Sequence, residues 1–236
     1  MNSVEGVIVE IGIFGATGVI GSRVVAEATR RGHRVTAFTR DAARIPAEQA
    51  GVRWQVADWL DADSIATAIT GADVVISAVN AGRDIADTIA NAGDFVTGAQ
   101  AMVRALERQP RVRLIAVGGA GSLEVAPGRQ LVDTGADFTR TLTEVLEVPA
   151  EYIDVVRALR DSLNVYRLSD RHWTYLSPSA GRIEPGERTG QFRIGGDQLL
   201  SPAPGAGDIS AEDIAVALLD EAEQPRFVQR RFTVGY

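Results

Sequence analysis

The chain passes from a strand pattern to a helix pattern through Gly12-Ile13-Phe14-Gly15-Ala16-Thr17-Gly18-Val19-Ile20-Gly21. An apolar run leads into this stretch, and a helical pattern over residues 22–31 follows it. We expect Gly15 to permit a tight turn, Gly18 to let the backbone approach a pyrophosphate, and Gly21 to let the helix pack on the strand. Free N–H groups at the start of such a helix favour a bound phosphate.

The glycine spacing in this stretch is GxxGxxG, whose first gap is one residue longer than that of the dinucleotide-binding fingerprint GxGxxG. A glycine-rich loop without a ligand can show the same spacing by chance. The preceding strand and the following helix favour the ligand-binding interpretation. The stretch therefore predicts a strand, a phosphate-binding turn and a helix.

The 236 residues are 45% hydrophobic and carry a formal net charge of -7. This length and composition predict one domain over residues 1–236. The acidic balance argues against nucleic acid or an anionic membrane as the main partner. We expect a small-molecule substrate. No apolar run approaches the roughly 18 residues that span a bilayer. We therefore expect a cytoplasmic protein.

Two residue types are missing from the chain, and their absence restricts its chemistry. There is no cysteine, which excludes a disulfide, a thiol nucleophile and a thiolate metal site. No histidine pair stands at metal-ligand spacing, so we expect no metal. All 24 basic residues are arginine, because the sequence contains no lysine. A Schiff base, a P-loop lysine and a Tyr-x-x-x-Lys proton relay are therefore excluded.

Strand and helix patterns alternate along the chain, which is typical of a parallel sheet covered by helices on both faces. We predict an α/β fold, a Rossmann-like doubly wound parallel sheet with a small C-terminal substrate-cleft region. After the first strand, strands are predicted at 34–39, 53–57, 74–77, 113–117, 172–176 and 231–234. Long helices are predicted at 84–108, 150–168 and 210–223. The segments 120–150 and 177–208 are expected to form the substrate cleft, the second with a short hairpin around 190–194.

The second predicted strand ends in Thr39-Arg40-Asp41, where a dinucleotide-binding fold meets the adenosine ribose. An acidic residue there binds a ribose 2′-OH and selects NAD, whereas an arginine can pair with a 2′-phosphate. Arg40 therefore favours NADP(H) as cofactor, with Arg44 as a second phosphate contact. Asp41 could instead neutralise Arg40 in a surface ion pair.

Three further strand ends carry residues that could line a cofactor. Asp58 follows the third strand and could touch an adenine amino group, or it could be a helix cap or a turn carboxylate. The small residues Ala78-Val79-Asn80 end the fourth strand and would let a cofactor lie close. Gly118 and Gly119 end the fifth strand, where glycines either turn the chain or admit a ligand.

The string Ile13-Phe14-Gly15-Ala16-Thr17-Gly18-Val19-Ile20-Gly21, with Thr39-Arg40-Asp41, resembles the atypical short-chain dehydrogenase/reductases that bind NAD(P)H. The subgroup it is most similar to contains NmrA-like proteins and the biliverdin reductase B type of flavin reductase. Further matches to this subgroup are Val117-Gly118-Gly119-Ala120-Gly121-Ser122-Leu123, Trp173-Thr174-Tyr175-Leu176-Ser177-Pro178 and Ile209-Ser210-Ala211-Glu212-Asp213-Ile214-Ala215. Together the matches extend over nearly the whole chain.

The resemblance implies a Rossmann fold with NADP(H) across the strand ends, a substrate cleft above the nicotinamide, and a monomer. It implies pyrophosphate contacts by Gly15, Thr17, Gly18, Val19 and Ile20, 2′-phosphate contacts by Arg40 and Arg44, adenine contacts by Asp58 and Trp59, and nicotinamide contacts by Ala78, Val79, Asn80, Pro178 and Ser179. Gly118 and Gly119 stand where the biliverdin reductase B type has a serine. The proton-donating hydroxyl of that type is therefore not carried over.

Few side chains could give a proton to a reacting group. Tyr152 lacks the lysine partner that lowers a tyrosine pKa, and an unassisted tyrosine has a pKa near 10. Tyr152 could still donate a hydrogen bond, or it could simply pack in the core. Our candidate catalytic residues are Tyr152, Ser122 and Ser179, with Asn80 as a further contact.

Two functions fit these observations. In the first, the protein is an NADPH-dependent oxidoreductase that transfers hydride to a small flavin, quinone or conjugated carbonyl, acceptors that need little acid catalysis. In the second, it is a non-catalytic NADP-binding redox sensor that acts through a protein partner. The long excursions after the fifth and sixth strands favour the enzyme, because they have the length of pocket walls.

Overall fold

The structure is a computed structural model that describes residues 8–46, 50–201 and 208–236. Its strands are β1 (Glu10–Phe14), β2 (Arg34–Thr39), β3 (Val52–Val56), β4 (Val74–Ser77), β5 (Arg113–Val117), β6 (Glu124–Ala126), β7 (Arg129–Gln130), β8 (Trp173–Pro178), β9 (Arg193–Gly195) and β10 (Arg230–Gly235). Its helices are α1 (Val19–Arg30), α2 (Ala62–Ala68), α3 (Ile85–Ala90), α4 (Asp94–Arg108), α5 (Ala136–Arg140), α6 (Tyr152–Arg167) and α7 (Ala211–Glu223). Residues 202–207 of the predicted cleft and 1–7 of the predicted domain lie outside this description.

Eight strands form one sheet in the order β3-β2-β1-β4-β5-β8-β10-β9. All neighbours pair in parallel except β9, which runs antiparallel to β10. The chain winds outward from β1 through β2 to β3, and then in the other direction from β4. The predicted doubly wound α/β class is therefore confirmed, and the switch in winding direction lies between β1 and β4.

Helices cover both faces of the sheet. Alternate residues of β1 show why, since Ile11 and Ile13 pack with α1 and α7 on one face. Phe14 packs on the other face with α2, α4 and α6. Full burial of side chains of this size stabilises the fold by about 1.5 to 3 kcal/mol each. Both faces of β1 are thereby fixed in the core, which holds its carboxyl end in place.

The strands β2, β4 and β5 have the predicted bounds. Helix α7 begins where the helix predicted over 210–223 starts, because the Ser210 side chain caps it by accepting a hydrogen bond from the Asp213 N–H at 3.1 Å. The single helix predicted over 84–108 is wrong: the chain forms α3 and α4, which are separated at residues 91–93. Asn91 ends the first helix and Gly93 is the N-cap of the second.

The two excursions contain short regular elements. The first, over 120–150, contains a β6–β7 ribbon, the short helix α5 and a small apolar cluster around Val132, Phe138 and Leu142. The hairpin predicted around 190–194 is wrong, because β9 pairs with β10, beyond helix α7, rather than with residues close to it in the chain. No helix in the described part of the chain is long and apolar enough to cross a membrane.

Candidate functional site

The turn after β1 is closed by a glycine that packs against the loop after β4. Gly15 has a φ of 75°, which is the left-handed region. A Cβ at this position would lie 2.2 Å from the carbonyl oxygen of Ala78 and 2.9 Å from the amide nitrogen of Val79. The Gly18 N–H donates to the Gly15 carbonyl at 2.9 Å and completes the turn. The turn therefore sits at the switch point between β1 and β4, where doubly wound sheets bind their ligands.

Helix α1 begins directly from this turn with its N-terminus open. Its N-cap residue, Gly18, is exposed and extended and supplies no side-chain cap. A Cβ on Gly21 would lie 2.1 Å from the Gly15 carbonyl oxygen, so the helix rests closely on the turn. The free N–H groups of Val19 and Ile20 in the first helical turn suit an anion. These residues fit the pyrophosphate of a dinucleotide.

Arginines surround the end of β2. The Arg40 guanidinium lies over the Trp59 ring, with its carbon 5.9 Å from the ring centroid. The Arg44 Nη2 donates to the Thr17 carbonyl at 3.2 Å, which places it beside the turn after β1. Among the described residues Arg40 has no ion pair, and Asp41 pairs with Arg83 instead, so the alternative in which Asp41 neutralises Arg40 is not observed. Arg40 and Arg44 are thus exposed cations at the place predicted for the 2′-phosphate.

Asp41 has two other partners. Its carboxylate accepts from the Ala43 N–H at 3.0 Å and caps the 3₁₀ turn Ala42–Arg44. Its Oδ2 lies 3.4 Å from Nη2 of Arg83. Arg83 follows β4, and it is a residue that the sequence analysis missed. A signal was present, because Arg83 directly follows the small residues at a strand end beside the predicted phosphate turn.

Asp58 and Trp59 follow β3 and differ in exposure. Asp58 is exposed, and its carboxylate accepts from the Leu60 N–H at 3.0 Å as a turn residue does. Trp59 is only 6% exposed and packs on Phe95, with ring centroids 6.4 Å apart. A Cβ on Gly98 would overlap the indole ring at 2.0 Å. Trp59 is therefore mainly a core residue, and adenine contacts by both residues remain a prediction.

The end of β4 contributes mainly backbone to the site. The carbonyl of Ala78 and the amide of Val79 pack against Gly15. The Asn80 side-chain amide donates to the Gly82 carbonyl at 3.0 Å and to the Thr88 hydroxyl at 2.9 Å. Its donor is therefore directed at the protein. Val79 also lines, with Val117 of β5, a small cavity of about 20 Å³, which is room for about one water.

The first glycine after β5, Gly118, is required by a neighbouring side chain. A Cβ on Gly118 would lie 2.1 Å from Cε1 and 2.3 Å from the hydroxyl oxygen of Tyr175. The Tyr175 ring thus occupies the space that a side chain at position 118 would need. Gly119 is less crowded, with Cδ1 of Leu159 at 3.4 Å from a built Cβ. This packing explains in physical terms why a serine hydroxyl is not found at position 118.

The three candidate catalytic hydroxyls have different surroundings. The Ser122 side chain is buried and accepts from Nη1 of Arg231 at 3.0 Å. The Ser179 hydroxyl is 2.9 Å from that of Thr233 and also accepts from the Leu200 N–H at 3.0 Å. Both serines are thus directed at protein partners.

Tyr152 is different, because its hydroxyl forms no hydrogen bond within the described residues. It stands at the start of α6 and is half-buried, and burial raises its pKa. Pro178, which was predicted with Ser179 to contact the nicotinamide, is the buried last residue of β8. The structure brings several predicted site residues together at the carboxyl ends of the neighbouring strands β2, β1 and β4. They are the residues of the turn after β1, Arg40, Arg44, Ala78 and Val79.

Comparison with known proteins agrees with this geometry. Residues 15–225 match the family described as NAD(P)H-binding. The chain is 33% identical over 226 residues to the uncharacterized protein YwnB of Bacillus subtilis (strain 168), covering 95% of this chain and 97% of that protein. A suggested exported protein from Burkholderia pseudomallei is 42% identical, with a TM-score of 0.80 and coverage of 97% of this chain and 100% of that one.

A suggested NADH-flavin reductase from Streptococcus pneumoniae TIGR4 is 26% identical, with a TM-score of 0.77 and coverage of 96% of this chain and 99% of that one. The two solved structures share the Rossmann-like architecture of this chain. With the glycine turn at the switch point and the family match over most of its length, the chain belongs to the NAD(P)H-binding family.

Proposed function

We propose that the protein is an NADPH-dependent oxidoreductase that transfers hydride to a small flavin, quinone or conjugated carbonyl acceptor. The observation that carries this proposal is the group of three guanidinium groups, those of Arg40, Arg44 and Arg83, beside the glycine turn after β1. We also propose a monomer in which segments 120–150 and 177–208 wall the acceptor cleft.

The preference for NADPH follows from charge. The 2′-phosphate adds negative charge that NADH lacks, and a charge-assisted hydrogen bond contributes about 1.5 to 3 kcal/mol. Arg40 has no ion pair in the described part of the chain, and its guanidinium lies on the Trp59 face. It can therefore bind a phosphate without first breaking an ion pair, and the ring limits its freedom.

The acceptor class follows from the proton donors. Bound NADPH supplies the hydride, and the protein must orient the acceptor and provide or withhold a proton. The Ser122 oxygen accepts from Arg231, the Ser179 hydroxyl is hydrogen-bonded to that of Thr233, and burial raises the pKa of Tyr152. A tyrosine with a raised pKa is a weak acid at neutral pH. This supports an acceptor that can take its proton from water, and the suggested NADH-flavin reductase among the relatives supports a flavin.

A second candidate function is an NADP-binding redox sensor that acts through a protein partner. The protein hydrogen bonds of both serine hydroxyls favour it, as does the small size of the cavity between Val79 and Val117, which has room for about one water. An acceptor would therefore have to bind above the strand ends rather than in this cavity.

One experiment separates the two functions. Purified protein is mixed with NADPH or NADH, and the absorbance of the reduced nicotinamide is followed while FMN, a quinone and an enone are added in turn. The proposal expects NADPH oxidation with at least one acceptor and a slower reaction with NADH. Tight NADPH binding without turnover on any acceptor would reject the enzyme in favour of the sensor.

A further inference from the structure

A buried arginine on the last strand joins two segments that flank the proposed acceptor cleft. Arg231 lies on β10, and its side chain is 2% exposed. In register it pairs with Tyr175 of β8, which pairs with Ala116 of β5. Register partners share a sheet face, so the Arg231 side chain extends on the same face as Tyr175, beneath the turn after β5.

The Arg231 guanidinium uses each of its three nitrogens. Nη1 donates to the carbonyl of Ser122 at 2.7 Å and to its hydroxyl at 3.0 Å. Nε and Nη2 donate to Oδ1 of Asp197 at 2.9 and 2.6 Å, and Nη2 also reaches the Asp197 carbonyl at 3.1 Å. The planar fork of an arginine can hold two such groups at once, which a single ammonium cannot.

The two partners belong to different segments. Ser122 ends the turn that contains Gly118, Gly119 and Gly121. Asp197 follows β9 within the second cleft segment, and its carbonyl also accepts from the Glu124 N–H at 2.8 Å. Arg231 is therefore a bridge between the wall after β5 and the wall after β8.

Backbone hydrogen bonds of Glu124 with Asp197 and Leu199 already join the two segments just beyond this turn, so the contribution of Arg231 is to the turn itself. Three glycines give it high conformational freedom in the absence of restraints. On its inner side it is restrained by contact, because Cβ atoms on Gly118 and Gly121 would lie 2.1 Å from Tyr175 and 2.0 Å from Val156. The Ser122 carbonyl is fixed by Arg231. Loss of the guanidinium would leave a buried carbonyl unpaired and free the turn to shift.

We propose that Arg231 is a positioning residue of the acceptor site, which holds the Gly118–Ser122 turn and the Asp197 segment in the relative geometry that acceptor binding requires. The proposal rests on the proposed reductase function. Arg231 itself contacts neither cofactor nor acceptor, since it is buried beneath the turn. Substitution of Arg231 should therefore change acceptor binding and leave binding of the cofactor phosphates unchanged.

The test compares Arg231→Lys with Arg230→Lys. Arg230 is the exposed neighbour on the same strand, and it serves as the matched control. For Arg231→Lys we expect acceptor kcat/KM to fall roughly 10- to 100-fold, mainly through KM, because small misplacements of a binding wall have effects of this size. The Kd for NADPH should stay within about twofold of the wild-type value. Amide hydrogen exchange over 118–123 should become faster, and Arg230→Lys should change none of these quantities.

Equal losses in NADPH affinity and in acceptor KM, or unchanged exchange over 118–123, would overturn the proposal. If no acceptor is turned over, the proposed function has failed. Hydrogen exchange and the Kd for NADPH then still decide whether Arg231 holds the turn. If Arg231→Lys does not fold, Arg231→Gln makes the test, because its amide can still donate to one partner but cannot hold both the Ser122 carbonyl and the Asp197 carboxylate.

Discussion

Arg83 and Asp41 form an ion pair across the end of β1, with 3.4 Å between Nη2 and Oδ2. Arg83 follows β4 and Asp41 follows β2, and β1 lies between these strands in the sheet. The pair therefore spans the glycine turn at which the pyrophosphate is expected. Both side chains are exposed, and exposed pairs contribute about 0 to 1 kcal/mol. A phosphate can therefore replace the Asp41 carboxylate as the partner of Arg83 at little cost.

Arg40→Ala should weaken NADPH binding much more than NADH binding. The substitution removes a charge-assisted contact that only the 2′-phosphate makes, which is worth about 1.5 to 3 kcal/mol, or roughly 10- to 150-fold in Kd. Fluorescence titration of both cofactors measures it. The control is Arg34→Ala, at the other end of β2, where the arginine pairs with Glu10. Equal losses for NADPH and NADH would show that Arg40 does not select the phosphate.

Asp41→Asn should raise NADPH affinity by a factor of about 2 to 5, because it removes a carboxylate that competes for Arg83 and repels a phosphate. The asparagine can still accept the Ala43 N–H that the aspartate accepts, so the 3₁₀ turn is kept. NADH affinity should change less. Weaker NADPH binding in this variant would contradict the assignment of the 2′-phosphate to this side of the sheet.

Gly15→Ala should abolish measurable cofactor binding and lower the free energy of unfolding. The left-handed backbone alone costs about 1 to 2 kcal/mol with a Cβ, and here the Cβ would also overlap the Ala78 carbonyl. Gly128→Ala is the control, because Gly128 has a φ of 72° with nothing within 4 Å of a built Cβ. Denaturant unfolding and NADPH titration of both variants make the comparison. Similar losses in the two variants would mean that the contact with Ala78 is unimportant.

Glu27 should make stability depend on acid pH. Burial would raise the pKa of this carboxyl, but hydrogen bonds from Arg188, Arg30 and Arg31 outweigh burial and hold the pKa far below its ordinary value. Its contribution to stability is therefore complete above the unfolded pKa of about 4.3 and is lost as pH falls below that value.

Glu27→Gln should lower the free energy of unfolding at neutral pH by about 2 kcal/mol. It should also flatten the loss of stability below about pH 4.3. Denaturant unfolding as a function of pH measures both effects. The control is Glu187→Gln, an exposed glutamate next to Arg188 in the same segment. A pH profile of Glu27→Gln that matches the wild-type profile would exclude Glu27 as the source.

The parts of the fold that the sequence predicts well are those whose signals are local. The apolar runs of β2, β4 and β5 predict where these strands begin and end, and the glycines after β1 predict the turn. The sequence does not indicate the break between α3 and α4, because apolar residues keep helical spacing through Asn91 and Gly93. The partner of β9 is a strand far away in sequence.

The candidate site follows the same division. Arg40 and Arg44 are predictable because a strand end has a fixed place in this architecture. The hydrogen-bond partner of the Ser122 hydroxyl is not predictable, because Arg231 is 109 residues away along the chain. The crowding of Gly118 by Tyr175 likewise joins two different strands. Polar side chains whose partners are distant in sequence are thus the ones whose roles need the structure.

The most direct test of the central claim is a single-turnover reaction. NADPH carrying deuterium on the transferred C4 position is bound to the protein, an acceptor from the flavin, quinone or enone class is added, and the label is followed by mass spectrometry. For an enone, the account predicts deuterium in the reduced product; for a flavin or quinone, whose transferred atom exchanges with water, it predicts a slower reaction with labelled than with unlabelled NADPH. NADPH that stays bound and unoxidised with every acceptor would contradict it and leave the sensor as the function of the site.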